Sequence, residues 1–229
     1  MVDTVVPPTT SKKVYFYCTG YGKFGNVLEN PTSILVRDLP DLLSAQAASP
    51  RSNQFALAHS EIVTVSIQDC DQALTRIYER MQGDHAQAEH HVIINFGVAA
   101  SRSGFDLESI GKNIKNFCIP DEGGNQPMNE CIDGALDISH KLECDLDLAS
   151  VSQRLEAKGY PCKVSQDAGD YICNYTYYRN LQMRQSFCTD KCVTNLKSLF
   201  CHVPSFTTVN EAQQKAFIVD LLKELAASL

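Results

Sequence analysis

Three short segments of the 229-residue chain carry side chains whose type and setting could do chemistry. The first is AGDYICNYTYY at 168–178, where Cys173 falls between a glycine-bearing turn and a run of helical spacing. Orphan N–H groups and the macrodipole at a helix start favour a thiolate, and the same N–H groups could hold an oxyanion. Placement leaves two readings open: a nucleophile, or one more structural thiol among ten cysteines. The second segment is FCHVPSF at 200–206, with His202 near the end of an apolar strand. It reads as a base at the sheet's edge or as a satisfied core histidine. A nucleophilic cysteine needs a nearby base and a third group that orients it. Cys173 and His202 both fall near expected strand ends, so such a pair is geometrically allowed. The third segment is GYGKFGN at 20–26, whose glycine spacing fits neither a P-loop nor a dinucleotide fingerprint. Its Tyr21 and Phe24 supply aromatic surface at a loop, or pack on the core.

Other constellations are weaker. Cys188, Cys192, Cys201 and His202 have C-x3-C-x8-C-H spacing. Adjacent Cys201 and His202 would face opposite sides of a strand, whereas a structural zinc needs four convergent ligands. No metal and no cofactor are expected. Asp145 with Asp147, and Asp38 with Asp41, read as solvated surface. Cys188 and Cys192 lack the C-x-x-C spacing of a redox motif.

The elements that must position these residues alternate. Val14 to Thr19 reads as a buried strand, and Asn30-Pro31 opens a helix reaching Ala48. Ile62 to Ile67 is read as a second strand, Cys70 to Gln82 as a helix and His91 to Phe96 as a central strand. Residues 101–145 are read as a strand or hairpin with long loops. A helix follows through Leu146, Leu148, Val151 and Leu155, closed by Lys158-Gly159. Pro161 to Ser165 and Asn195 to Val203 read as strands, with a helix over Asn174 to Met183 between them. Asn210 with Gln213 caps a terminal helix whose apolar face includes Phe217, Leu221 and Leu225. The expected fold is a single-domain three-layer α/β/α sandwich with a mostly parallel central sheet: a flexible tail over 1–12 and one α/β domain over 13–229.

Composition sets the bounds. The chain is 44% hydrophobic and 21% charged, which is globular rather than disordered. A formal charge of −7 gives no overall pull on nucleic acid or anionic membranes. The longest nearly apolar run, Val92 to Ala100, is too short for a bilayer. The N-terminus has no apolar signal-peptide core, so free thiols and a cytoplasmic location are expected.

Five segments together resemble the pyroglutamyl peptidase I family of cysteine exopeptidases. They are TGYGKFGNVLENPTS at 19–33, NFGVAASRSGFDLESIGKN at 95–113, IPDEGGNQP at 119–127, SQDAGDYICNYTYY at 165–178 and FCHVPSF. The resemblance implies Cys173 as nucleophile, His202 as general base and Glu108 as the carboxylate completing a triad. It implies a pyroglutamate pocket walled by Tyr21, Phe24, Ile119, Tyr171 and Ile172, with Thr64 also matching. It implies small peptides with an N-terminal pyroglutamate as partners, with oligomeric state unassigned. Three positions depart from the pattern. Val98 stands where the family usually has Gln, and Cys118 where it usually has Arg. Asp170 replaces a small polar or basic residue, and its charge is expected to disfavour a Cys173 thiolate.

Overall fold

The computed structural model describes residues 13–45, 55–84, 88–189 and 195–229. Val14–Tyr21 (β1) is buried along its whole length. Val14, Phe16 and Cys18 face one core cluster, and Tyr15 and Tyr17 face another, as strand alternation requires. A strand apolar on both faces must be covered on both, so it lies inside a layered sheet. Pro31–Ser44 (α1) is opened by Asn30, whose side-chain oxygen accepts the Thr32 N–H at 3.1 Å. Then come Phe55–Val63 (β2), Ile67–Asp84 (α2), His90–Val98 (β3), Phe105–Glu108 (β4), Ile110–Lys112 (β5) and Lys141–Glu143 (β6). Leu148–Ala157 (α3), Cys162–Ser165 (β7), Ile172–Thr189 (α4), Leu196–Val203 (β8) and Glu211–Ala227 (α5) complete the order.

Six strands form one sheet in the order β2-β1-β3-β8-β4-β7. The first four run parallel, and β4 with β7 runs opposite to them. The larger core cluster joins one sheet face to α1, α3 and α5, through residues such as Leu35, Val151, Phe217 and Leu221. On the other face α2 and α4 pack through Cys70, Ile77, Tyr177 and Leu181. The result is the expected three-layer, mostly parallel sandwich. Because β1 pairs with both β2 and β3, the order reverses beside it. In such a sheet, ligands bind beyond the carboxyl ends of the strands at the reversal. Among the described residues, no helix is long and apolar enough to cross a membrane.

The second strand differs from the sequence expectation. It runs over Phe55–Val63, and Ile67 already begins α2. As the sheet's outermost strand, β2 is half-buried for most of its length, so FALAHSEIV carries little apolar signal. The Val63-Thr64-Val65 alternation instead belongs to the exit from the strand. There the Asp121 carboxylate accepts the Ile67 N–H at 2.9 Å and Ser66 Oγ accepts that of Asp69 at 3.1 Å, starting the helix. The first helix ends at Ser44, and residues 46–48 of its expected span lie outside the described residues. Within 101–145, β5 and β6 pair antiparallel around a long loop. Asn113 organises that loop by donating to the carbonyls of Asp133, Leu136 and Asp137.

Candidate active site

Cys173 is the second residue of α4, and the start of that helix is pinned from β5 and the loop after it. The buried Asn174 side chain accepts the Lys112 N–H at 2.8 Å. It donates to the carbonyls of Lys112 at 2.8 Å and Ile114 at 2.9 Å. Lys112 Nζ lies 2.6 Å from the Asp170 carboxylate and 2.9 Å from that of Asp167. The Tyr175 N–H donates to the Tyr171 carbonyl at 3.0 Å, and the first N–H groups ahead of it have no helical acceptor. A fixed helix start therefore presents free donors beside the sulfur. Gly97 on β3 makes room for it. A Cβ there would stand 2.7 Å from the Phe200 ring and 3.2 Å from Cys173 Sγ.

His202 lies near the end of β8 and is 4% exposed. Its Nδ1 is 2.7 Å from Glu108 Oε1, and the ring also hydrogen-bonds the Cys173 thiol. Burial alone would lower the imidazole pKa. The Cys173 sulfur and the Glu108 carboxylate outweigh burial and raise it to about 9. Glu108 is fully buried at the end of β4, and its second oxygen, Oε2, has no hydrogen-bond partner among the described residues. The Tyr177 hydroxyl donates to the Glu108 backbone carbonyl at 2.6 Å and fixes the strand against α4. Thiol, imidazole and carboxylate thus form a connected line across α4, β8 and β4. Cys201 faces the opposite core, as alternation along β8 requires. Cys192 and the Cys188 side chain lie outside the described residues. Among the described residues, no cluster of three or more His, Cys, Asp or Glu side chains could hold a metal.

Beside Cys173 opens a cavity of about 250 Å³ including its mouth. Tyr21, Phe24, Val98, Tyr171 and Ile172 line it, so the structure brings these five sequence candidates together with the thiol. Its walls sit at the carboxyl ends of β1 and β3, at the reversal in strand order. Tyr21 stacks on Phe200 with ring centroids 6.3 Å apart, and burial keeps its phenol protonated far above neutral pH. Phe24 packs on Tyr171, whose hydroxyl donates to the Pro120 carbonyl at 3.0 Å. Thr64 and Ile119 do not line the cavity. Thr64 points to solvent because Val63 and Val65 on either side of it point inward, and Val65 takes the lining position. Ile119 is 38% exposed at the rim, with Cδ1 3.0 Å from where a Cβ on Gly25 would stand.

Sequence reasoning missed Asn30, Val65 and Gly97 as lining residues, and Arg102 beside Glu108. An isolated glycine inside the strand HVIINFGV was a signal for close approach at Gly97. The glycine of GYGKFGN nearest the strand has a packing reason too, since a Cβ on Gly20 would collide with the Thr32 carbonyl. Asp170 does not act as an uncompensated charge, because Lys112 sits against it. Cys118 is an exposed thiol.

Comparisons with known proteins give the family. A family model described as Pyroglutamyl peptidase matches residues 13–218. The pyrrolidone-carboxylate peptidase of Lactobacillus johnsonii is 28% identical over 214 residues, covering 92% of this chain and 88% of that protein. That of Thermococcus litoralis is 26% identical over 201 residues, covering 88% and 80%. The crystal structure of Bacillus amyloliquefaciens pyroglutamyl peptidase I has a TM-score of 0.74 at 23% identity, covering 94% of this chain and 97% of that one. At that identity the structural likeness speaks to the fold. The family match spans both ends of the sheet and every strand and helix start that meets at the cavity, and on it the chain belongs to the pyroglutamyl peptidase family.

Proposed function

We propose that this peptidase removes an N-terminal pyroglutamyl residue from small peptides, with Cys173 as nucleophile, His202 as acid and base, and Glu108 as the carboxylate that orients His202. The observation that carries this reading is the hydrogen-bonded line from Cys173 through His202 to Glu108, ending at the mouth of the apolar cavity. A pyroglutamyl group is a neutral lactam without an α-ammonium. A small slot walled by Tyr21, Phe24, Val98, Tyr171 and Ile172 suits such a ring, and a charged N-terminus would lose its hydration there without a partner.

The chemistry follows from the arrangement. The Cys173 thiolate adds to the pyroglutamyl carbonyl carbon, and the free N–H groups of the first turn of α4 receive the oxyanion. Protonated His202 gives its proton to the departing amine as the C–N bond breaks, leaving a thioester on Cys173. Neutral His202 then takes a proton from water as the water oxygen attacks the thioester carbon. Sulfur leaves as thiolate, and the products are free pyroglutamate and the shortened peptide. The Glu108 carboxylate holds Nδ1, so the other ring nitrogen faces the sulfur.

Hydrolysis of a pyroglutamyl fluorogenic amide, with and without a thiol alkylator, tests the reading. The intact chain cleaves it, the alkylator stops it, and Cys173→Ala abolishes turnover without changing the circular dichroism. Full activity in Cys173→Ala, or equal cleavage of glutaminyl and pyroglutamyl amides, would overturn it.

A further inference from the structure

Arg102, in the loop after β3, reaches groups from three separate parts of the site. Its Nη1 ion-pairs with the Asp106 carboxylate and lies 3.5 Å from Ser165 Oγ. Its Nη2 donates to the Asp167 carbonyl at 2.8 Å and stands 3.8 Å from Glu108 Oε1. It therefore touches both carboxylates of β4, the end of β7, and the loop that leads into the Cys173 helix. Asp106 and Glu108 are 1% and 0% exposed. Two residues apart on one strand, they share a face, and Asp106 is the register partner of His202. The register thus sets a second buried carboxylate across the ladder from the imidazole that Glu108 holds, and as a pair of anions the two carboxylates repel.

We propose that Arg102 is a positioning residue that draws the Asp106 carboxylate off His202, leaves Glu108 as the carboxylate on the imidazole, and ties β4 to the loop carrying Cys173. Both Asp106 oxygens face cations, Oδ2 towards Arg102 and Oδ1 towards Lys163 Nζ at 3.9 Å. Lys163 is largely exposed and screened, so Arg102 carries the charge balance. The proposal rests on the Cys173–His202–Glu108 reading above.

The charge environment gives the sign. Glu108 is faced by His202 on β8 and Tyr177 on α4, with Cys173 on the far side of the imidazole, and its charge also acts on Cys201 across the sheet. Asp106 is faced by Lys163 and Cys162 on β7, with Glu156 of α3 acting on the same Cys162. Burial pushes the thiols of Cys162 and Cys201 upward, so they stay neutral. Asp167 and Asp170 are held by Lys112. Removing the Arg102 charge therefore favours the protonated form of Glu108, of Cys173 and of His202 alike, and the whole pH profile moves up.

The test measures kcat/KM for a pyroglutamyl amide and the rate of Cys173 alkylation, both against pH. In Arg102→Gln, kcat falls on the order of ten- to a hundred-fold with KM little changed. Both acid limbs move up by about one pH unit. Asp106→Asn moves the limbs the other way, and the double variant recovers most of the lost kcat, because the rival carboxylate is gone. Arg102 also borders a hollow of about 740 Å³ including its mouth, larger than the one at Cys173. Guanidinium ion can enter there, so adding it restores activity to Arg102→Ala. Equal melting temperatures across the set exclude simple unfolding. A double variant no better than Arg102→Gln, limbs that do not move, or loss of activity only in step with loss of melting temperature would overturn the proposal. An unmodified chain that fails to cleave the amide would instead refute the peptidase reading. The alkylation limbs still report on Arg102 in that case.

Discussion

The carboxylate 2.7 Å from His202 Nδ1 belongs to Glu108, although the residue directly across the ladder from His202 is Asp106. Glu108 is registered opposite Phe200, so it reaches the imidazole along a diagonal. Long side chains can span that diagonal and short ones cannot. Glu108→Asp keeps the charge but is one methylene short. It should lose kcat nearly as fully as Glu108→Gln, on the order of 10²-fold or more, while KM changes little. Wild-type kcat in Glu108→Asp would show that charge alone suffices and that the diagonal reach is irrelevant.

The raised imidazole pKa fixes the alkaline side of the profile. His202 holds its proton up to about 9 because the Cys173 sulfur and Glu108 outweigh the effect of burial. In the proposed mechanism the departing amine then loses its proton donor, so kcat/KM should fall as pH rises through about 9. The same shift contributes to stability. The contribution is complete below 6.5, where the imidazole is charged in folded and unfolded chains alike, and it is lost as pH rises through about 9. Urea unfolding across that window should show a decline in the wild type that is absent from His202→Gln. Equal declines would mean that His202 does not carry the linkage.

On the proposed reading, Phe24 serves recognition rather than chemistry. It closes the cavity from the loop after β1 and packs on Tyr171 at a centroid distance of 6.1 Å. Phe24→Ala removes apolar contact worth about 1.5–3 kcal/mol if the lactam fully covers it. Most of that should appear as a KM raised roughly ten-fold, with kcat reduced less. An unchanged KM would remove Phe24 from the pocket.

Asn174 is a structural staple with a functional consequence. Replacing it by Ala leaves the part-buried Lys112 N–H and Ile114 carbonyl without partners, while the Lys112 carbonyl keeps only the Ile114 N–H. Each orphaned group costs about 1–3 kcal/mol, so the variant should melt well below the wild type. It should also lose kcat, because the start of α4 then no longer holds Cys173 against His202. A variant with wild-type melting and kcat would show that the helix start is fixed by other contacts.

Much of this arrangement is legible in the residues, and the illegible part has physical causes. The inner strands β1 and β3 are apolar on both faces, and α5 has a long apolar stripe behind an Asn cap, so all three declare themselves. β2 does not, because an edge strand carries half-buried Ala, His, Ser and Glu in place of an apolar run. Cys173 and His202 stand out through their places at a helix start and a strand end. Glu108 does not, since FDLESIG holds two carboxylates, Asp106 and Glu108, with no spacing that marks either, and only the resemblance pointed to Glu108. Arg102 is invisible for a related reason. Its partners come from Asp106, Glu108, Ser165 and Asp167, and only the fold brings β4 and the end of β7 around it.

The charge ahead of Cys173 gives the last prediction. Read from sequence, Asp170 three residues before the thiol should raise its pKa, and Asp170→Ser should lower the acid limb of kcat/KM. In the fold, Lys112 Nζ sits 2.6 Å from Asp170 and 2.9 Å from Asp167, so the ammonium already offsets the carboxylates. Burial of the ammonium opposes its charge, but the two carboxylates win and raise its pKa, so it stays protonated through the working range. Asp170→Ser should therefore shift the limb by only a few tenths of a pH unit, because Lys112 keeps Asp167. Lys112→Met should do more, since it leaves two carboxylates unpaired ahead of the thiol and moves the limb up by about half a unit or more. The β5 backbone keeps its bonds to Asn174 in that variant, so melting should drop less than in Asn174→Ala. If Asp170→Ser moves the limb as far as Lys112→Met, in the opposite direction, the ammonium does not neutralise Asp170, and that carboxylate acts on Cys173 directly.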